Sequence, residues 1–465
     1  MKLKEVLDST GAVLLRGSSE CLVHGVSTDT RTLTDRALFL ALDGPNFDGN
    51  RFASKAGERG AAALMLRRAP DLDLAGLPPE LPVAVHEAPR RALSDLASWH
   101  RSRLDVPVIG ITGSSGKTTT KNILAELLSA HRRTVASPSS FNNEIGVPHT
   151  MLLADPSTEV LVVEMGTNAP GEIAALCRVA RPTAGIITNV GASHLAGLGS
   201  VDGVAREKAA LFESLPEDGF GVLNADSQFA DLLRSRARCR VISFSVEGEG
   251  EFNAERPLYH SGGTTFTLRG REITFPLLGQ HNVSNLLAAL ACCSGLGFEL
   301  EDLLPSLSHL TGGHRRMEQR DLGAITLFDD TYNANPESAR AAVRVLAGLH
   351  GARRRVLVMG DMLELGPDAP ELHHAIGREA AESGIELLVL VGEVTQATAA
   401  GALEAGMPPR AVRHLGTVDA AVDELAGQLR DGDVVLVKGS RAMGLEAVVE
   451  GLAQALGRRE SGGPQ

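Results

Sequence analysis

Apolar runs with no polar face recur along the middle of the chain, separated by stretches long enough for a helix: "VIGIT", "VLVVEMG", "AGIITNVG", "GVLNAD" and "CRVISFS". Strands that are apolar throughout must be covered on both faces, so this spacing predicts a parallel sheet between layers of helices. A β-hairpin pattern around 251–276 follows, and from 314 the strand pattern restarts with "AITLFDD", "RRVLVMGD", "ELLVLVG" and "DVVLVKGS", a second α/β sheet. Ahead of both, "ALFLAL", "AAALML" and "VAVHEA" alternate with glycine and proline turns and read as a small α/β unit. The stretch "APRRALSDLASWHRSRL" carries apolar residues at helical spacing behind a proline, and a fresh strand opens at Pro107. The expected division is an α/β chain of three domains: 1–85, 86–313 and 314–455, with 456–465 a polar, glycine-rich tail expected to be disordered.

Length agrees, since 465 residues at roughly 150 per domain give three. With 43% hydrophobic and 22% charged residues the composition is that of an ordinary globular protein. The opening "MKLKEVLDST" has no apolar h-region, and no later stretch is long and apolar enough to span a bilayer, so a cytoplasmic location is expected. Five cysteines without a CxxC pair argue against a disulfide framework or a structural zinc site and are expected to be core residues. A net charge of −12 without a sustained basic run argues against nucleic acid as a partner. Any polyanionic substrate must then be met by local cations and backbone amides.

One strand-to-helix junction supplies them. In "VIGITGSSGKTTTKNIL" a buried strand runs into a glycine turn and straight into a helix. The common phosphate loop has a glycine where this chain has Ile111, so this is the shorter T-G-x-x-G-K-T form. The amides of Gly113, Ser114, Ser115, Gly116, Lys117 and Thr118, with Thr119 behind them, would face an anion at the helix N-terminus. Lys117 can neutralise β and γ phosphates, and the Thr118 hydroxyl can ligate Mg²⁺. The bland alternative is a glycine turn with an incidental lysine; the strand–loop–helix context favours a nucleoside triphosphate.

A phosphate loop alone fits switches, kinases, motors and ligases, so the other strand ends decide, since open α/β sheets bind ligands there. Glu164 ends "VLVVE", where an apolar strand makes a carboxylate costly unless it is paired or bound to a metal. His194 lies past "IITNVGAS", where a lone histidine is more often structural, and Lys208 on a probable helix reads locally as an exposed lysine. In "LLGQHNVSNLLAAL", Asn282 and Asn285 could cap a helix or read an adenine edge. Arg316 precedes the strand "AITLF" and Asp329 and Asp330 follow it, where the doubled aspartate is either turn chemistry or a ribose or metal contact. Asn335 before Pro336 is explained by helix capping.

With these residues collected, the chain resembles the Mur ligase family, the ATP-dependent amide-forming enzymes of cell-wall (peptidoglycan) precursor synthesis. The motifs occur in order from about 20 to 450: "TGSSGKTTTK", "FNNEIGVP", "VVEMG", "NVGASH", Lys208, "GQHNVSN", "HRRME", "DDTYNANP" and "VLVKGSRAMG". Within the family, "DDTYNANPESA", "VLVMGDMLELG" and "VLVKGSRAMG" look most like the ligase that adds D-Ala-D-Ala to UDP-N-acetylmuramoyl-tripeptide through an acyl phosphate. The resemblance implies a UDP-binding first domain, a central ATP-binding domain and a Rossmann-like third domain.

It also assigns roles. Lys117 and Thr118 would hold ATP phosphates and a first Mg²⁺, with Glu164 a further ligand. His194 and Lys208 are similar to the positions that bind a second Mg²⁺, the lysine as an N-carbamate. Asn282 and Asn285 resemble adenine contacts, and Arg316 and Asp330 phosphate and ribose contacts. Ser27, Thr28, Asp29 and Arg31 resemble the uridine diphosphate site, and Asn142 and Asn143 sit where the substrate and nucleotide sites of the family meet. Small-molecule substrates and a monomer are expected.

Rival readings make other demands. The family member that adds the third amino acid carries a D-N-P-R signature absent here, and the UDP-type N-terminal segment disfavours an enzyme extending folate with glutamate. A GTPase-like switch would need N-K-x-D, also absent.

Overall fold

The computed structural model describes residues 1–44, 47–70, 72, 74–260, 263–349 and 351–461. Among these, the first unit holds a five-stranded sheet in the order Val13–Arg16, Val83–His86, Ala63–Arg67, Leu38–Leu40 and Val26–Ser27. Its edge strand Val13–Arg16 runs antiparallel and the others are parallel.

The central sheet is parallel throughout, in the order Phe252–Asn253, Arg240–Ser245, Phe220–Asn224, Ala184–Ile187, Val108–Thr112, Val160–Glu164 and Thr134–Ala136. Val108–Thr112 therefore lies between two strands that follow it in the chain, with Ile111 beside Glu164 and Thr112 beside Ile187. Thr112, Glu164 and the residues after Ile187 thus leave the sheet side by side at its carboxyl edge, a switch point where such folds bind ligands.

Helix α1 (Pro89–Arg101) starts on a proline, α2 (Lys117–Ser129) follows the glycine turn, α3 is Val201–Glu213 and α4 is Gln280–Gly295. On one face of the central sheet, Ile123, Leu124, Leu127 and Leu128 of α2 and Val283 and Leu286 through Cys293 of α4 form a single buried cluster with Ile109, Ile111 and Ile186. On the other, α1 contributes Ala92, Leu93, Leu96 and Ala97 to a cluster that also holds Leu3, Leu38 and Met65 of the first unit and Leu161 and Val163 of the central sheet. Burial of that continuous surface fixes the first unit against the second. Strands Glu255–His260, Gly263–Leu268 and Arg271–Phe275 form a separate antiparallel sheet where a hairpin is expected.

The third sheet runs Glu318–Leu322, Ile325–Asp330, Asp433–Lys438, Arg354–Gly360, Leu387–Val391 and Val412–Leu415, parallel except for the first, antiparallel strand. Helix α5 (Pro336–Gly348) is capped by Asn335, whose side chain accepts from the Ser338 amide. The three sheets bear out the three-part α/β reading. The tail differs from expectation: helix Glu446–Ser461 continues past 456, because Leu452 and Leu456 are buried and carry its apolar stripe beyond the last strand, while 462–465 lie outside the described residues. Among the described residues all five cysteines are free, with Cys177, Cys292 and Cys293 in the core.

Candidate active site

The phosphate loop follows directly from where glycine is required. Gly113 has φ 156°, and a Cβ there would lie 1.9 Å from the Thr188 hydroxyl; Gly116 has φ 77°, and a Cβ would lie 2.3 Å from Asn285 Oδ1. Any other side chain at either position would push the loop off its neighbours. Behind the loop, Asn285 accepts from Thr120 Oγ1 at 3.2 Å and donates to Asn282 Oδ1 at 3.1 Å, while Asn282 donates to the Leu278 carbonyl at 2.8 Å. These buried amides clamp α2 to α4, so the pair is a structural brace as well as part of a cavity wall.

That cavity, of about 930 Å³, runs between the central and third units. It is lined by Ser114 through Thr119, Asn142, Glu164, His194, Asn282, Asn285, Arg316 and Asp330 among others. Most of the expected nucleotide and metal residues thus share one space. Lys117 Nζ donates to the Gly113 carbonyl at 2.8 Å, and burial lowers its pKa against the opposing pull of Glu164. Glu164 is 1% exposed; Asn142 Nδ2 donates to its Oε1 at 2.8 Å, and Oε2 has no hydrogen-bond partner among the described residues. An orphaned, buried carboxylate oxygen is costly unless a cation meets it, so Glu164 supplies one donor open to a divalent ion, although among the described residues no three His, Cys, Asp or Glu side chains converge on such a site.

His194 holds φ 52°, an uncommon conformation for a histidine, and its Nδ1 lies 3.3 Å from Glu364 Oε2 of the third unit. Burial, then Lys117 and Lys208, lower its pKa. Lys208 is 1% exposed, and burial followed by the nearby Lys117 pulls its pKa well below the ordinary value. Its local reading as an exposed helix lysine is therefore wrong: α3 lies with Val204, Ala205, Ala209 and Leu211 in the core, and Lys208 goes in with them.

The third unit delivers several groups onto the loop. Arg316 Nη2 donates to Thr118 Oγ1 at 3.0 Å, with its guanidinium 4.0 Å from the Tyr332 ring centre. The Tyr332 hydroxyl bonds Ser140 Oγ, and Asn335 Nδ2 donates to the Ser114 carbonyl at 3.4 Å. Asp330 pairs with the buried Lys438 at 2.6 Å.

Three participants escape a reading of the sequence. Asn189 accepts from the Ser115 amide at 2.9 Å and donates to Ser115 Oγ at 2.5 Å and Glu337 Oε1 at 2.7 Å. Its place two residues beyond the end of the apolar strand Ala184–Ile187 is the signal that could have found it. Lys121, 2% exposed, donates to the Ser137 and Ser139 carbonyls at 2.8 and 2.6 Å and so holds the loop that leads to Asn142. The third is Glu337, in the first turn of α5 and hydrogen-bonded to Asn189.

The other expected residues lie apart from the cavity. Ser27 bonds the Asp29 backbone, and Arg31 meets Asp29 through Nη2 at 2.6 Å with the guanidinium largely exposed; Thr28 lies between them. The Asp29 pKa is lowered by the Arg31 hydrogen bond. Asn143 accepts from the Ile145 and Gly146 amides at 3.1 and 2.9 Å, which closes the turn leading into the helix Gly146–Leu152. Arg90 bridges these regions by donating to the Asp43 carbonyl and pairing with Glu144.

A phosphate loop on the central sheet, covered by cations and amides from a second α/β unit, defines an enzyme that works on a nucleotide between two domains. Three consecutive stretches match the Mur ligase family: its "catalytic domain" description over 22–106, the "middle domain" over 111–293 and the "glutamate ligase domain" over 315–441. The chain is 36% identical over 442 residues to the UDP-N-acetylmuramoyl-tripeptide–D-alanyl-D-alanine ligase of Bacillus subtilis, with 94% of each covered. The crystal structure of MurF from Acinetobacter baumannii superposes with a TM-score of 0.86 at 29% identity, covering 97% of this chain and 98% of that one. MurF from Thermotoga maritima, solved in complex with ADP, gives 0.81 at 26% identity over 94% and 99%. The chain belongs to the Mur ligase family and is a ligase. Among the described residues no helix is long and apolar enough to cross a membrane.

Proposed function

We propose that this ligase joins D-Ala-D-Ala to UDP-N-acetylmuramoyl-tripeptide at the expense of ATP, giving the pentapeptide precursor of peptidoglycan. The observation that carries this reading is the cavity in which Lys117 and the orphaned Glu164 of the central unit face Arg316 and Asp330 of the third. A site that only senses a nucleotide has no need of this second set of groups.

Amide formation in water is uphill, so the tripeptide carboxylate must be activated. One carboxylate oxygen attacks the γ-phosphorus of ATP, the bond to the β,γ-bridging oxygen breaks, and an acyl phosphate and ADP result. The chain's part is positioning and neutralisation: the loop amides and Lys117 hold the phosphates, and Arg316 brings a second cation to Thr118. Thr118 and Glu164 would hold one Mg²⁺, and His194 and Lys208 a second; the ions would supply charge neutralisation at the phosphoryl oxygens. Burial lowers the Lys208 pKa and so favours the neutral amine, the form that adds CO₂; a carbamate there would turn a cation into an anionic ligand. The nucleoside end of ATP would lie towards Asn282, Asn285 and Asp330. Ser27, Thr28, Asp29 and Arg31 would hold the uridine diphosphate, with Asn142 and Asn143 between the two sites. We take 1–85, 86–313 and 314–455 as the UDP, ATP and acceptor domains of a cytoplasmic monomer.

The test is ADP release by purified protein given ATP, UDP-N-acetylmuramoyl-tripeptide and either D-Ala-D-Ala or single amino acids. Turnover with the dipeptide, abolished by Lys117→Ala, is expected; turnover only with single amino acids would overturn the specificity.

A further inference from the structure

Glu337 stands on the first turn of α5, where a carboxylate is ordinarily a solvated partner of the helix dipole. Here it is carried across to the phosphate loop. Its Oε1 accepts from Asn189 Nδ2 at 2.7 Å, the same Asn189 that binds the Ser115 amide and hydroxyl. Its Oε2 is buried with no hydrogen-bond partner among the described residues. Gly191 makes the room, since a Cβ there would lie 2.6 Å from that oxygen. Burial raises the carboxyl pKa, against the pull of Lys208, the Asn189 bond, Lys117 and a hydrogen bond from the Ser115 side chain.

A carboxylate in this place is unfavourable for two of the three reactants, because both the phosphates of ATP and the tripeptide carboxylate repel it. The third reactant is different. A dipeptide arrives at neutral pH mostly as an ammonium, with an α-amino pKa of roughly 8, and cannot attack until it loses a proton. Glu337 comes from the unit opposite the phosphate loop and lines the cavity, with Oε2 packed against Gly191, two residues beyond Asn189.

We propose that Glu337 is the group that receives the acceptor amine: its carboxylate binds the incoming ammonium and takes one of its protons. The proposal rests on the ligase reading above. In the step, the N–H bond breaks towards Glu337, leaving a neutral amine and a carboxylic acid. The nitrogen lone pair forms a bond to the acyl carbon and the carbonyl π pair moves to oxygen. When the carbonyl reforms, the bond to the phosphate oxygen breaks, and a second proton from nitrogen leaves with inorganic phosphate. The proton on Glu337 returns to solvent before the next cycle.

The test compares Glu337→Gln and Glu337→Asp with the parent enzyme, using two acceptors after the same ATP-dependent activation. D-Ala-D-Ala needs deprotonation; hydroxylamine is largely unprotonated at neutral pH and does not. Glu337→Gln keeps the shape and an oxygen for Asn189. It should slow amide formation from D-Ala-D-Ala by about 10²- to 10⁴-fold, the range of general base catalysis, and leave hydroxamate formation within about threefold of the parent. Glu337→Asp should recover part of the amide rate. Equal loss with both acceptors would mean a structural role, and unchanged amide formation would mean none; either overturns the proposal. If the parent forms neither product, the ligase reading itself fails, which is a different result.

Discussion

Arg316 of the third unit donates to the hydroxyl of Thr118 on the phosphate loop at 3.0 Å, with Tyr332 beneath its guanidinium at 4.0 Å. The two residues are 198 positions apart, so this hydrogen bond is made only by domain packing. It puts a fixed, planar cation where phosphoryl charge must be neutralised. Arg316→Ala should lower kcat for ADP formation by about 10²- to 10³-fold, as loss of one preorganised donor does, with little change in the melting temperature. Arg316→Lys should recover little, because an ammonium lacks the planar face that stacks on Tyr332. An unchanged kcat in both variants would contradict this role.

The buried Lys208 gives a chemical prediction. Lys208→Ala should lower turnover by more than the roughly 10- to 100-fold that follows loss of a group merely supporting a metal ligand, and acetate or propionate should restore part of it by standing in for a carbamate. Steady-state rates with and without added carboxylate check this. A loss that no small carboxylate repairs would point to the unmodified amine.

His281 gives a pH dependence. It lies in the cavity wall, and burial lowers its pKa from 6.5 to about 4. The unfolded chain therefore binds a proton that the folded chain refuses between these values. The folded-state preference for neutral His281 costs nothing above pH 6.5, and stability falls as pH drops through that window, by up to about 3 kcal/mol. His281→Asn should flatten the loss over the same window in urea unfolding. Parallel curves for the two proteins would refute the assignment.

Much of the site is legible in the sequence because it sits at strand ends. Glu164, His194 and Asp330 each break or follow an apolar run, and an ionisable group there needs a reason. The phosphate loop is legible because its glycines are required by contacts with Thr188 and Asn285. Lys208 and Glu337 are not legible locally. A lysine or glutamate on a helix looks solvated until packing determines otherwise: α3 goes into the core, and α5 carries its first turn across to Asn189. Asn285 is half legible, its amide being expected in the nucleotide wall but serving also as the brace between α2 and α4. The helix through Ser461 is missed because glycine and arginine after Leu456 outweigh an apolar stripe that ends late.

If ATP activates the tripeptide carboxylate by phosphorylating it, one oxygen of that carboxylate must leave with the phosphate. The most direct measurement is turnover with UDP-N-acetylmuramoyl-tripeptide labelled with oxygen-18 in its terminal carboxylate, followed by mass analysis of the inorganic phosphate. Transfer of one labelled oxygen to phosphate is expected for each amide formed. Amide formation with unlabelled phosphate would contradict an acyl phosphate and, with it, the role given to the cavity.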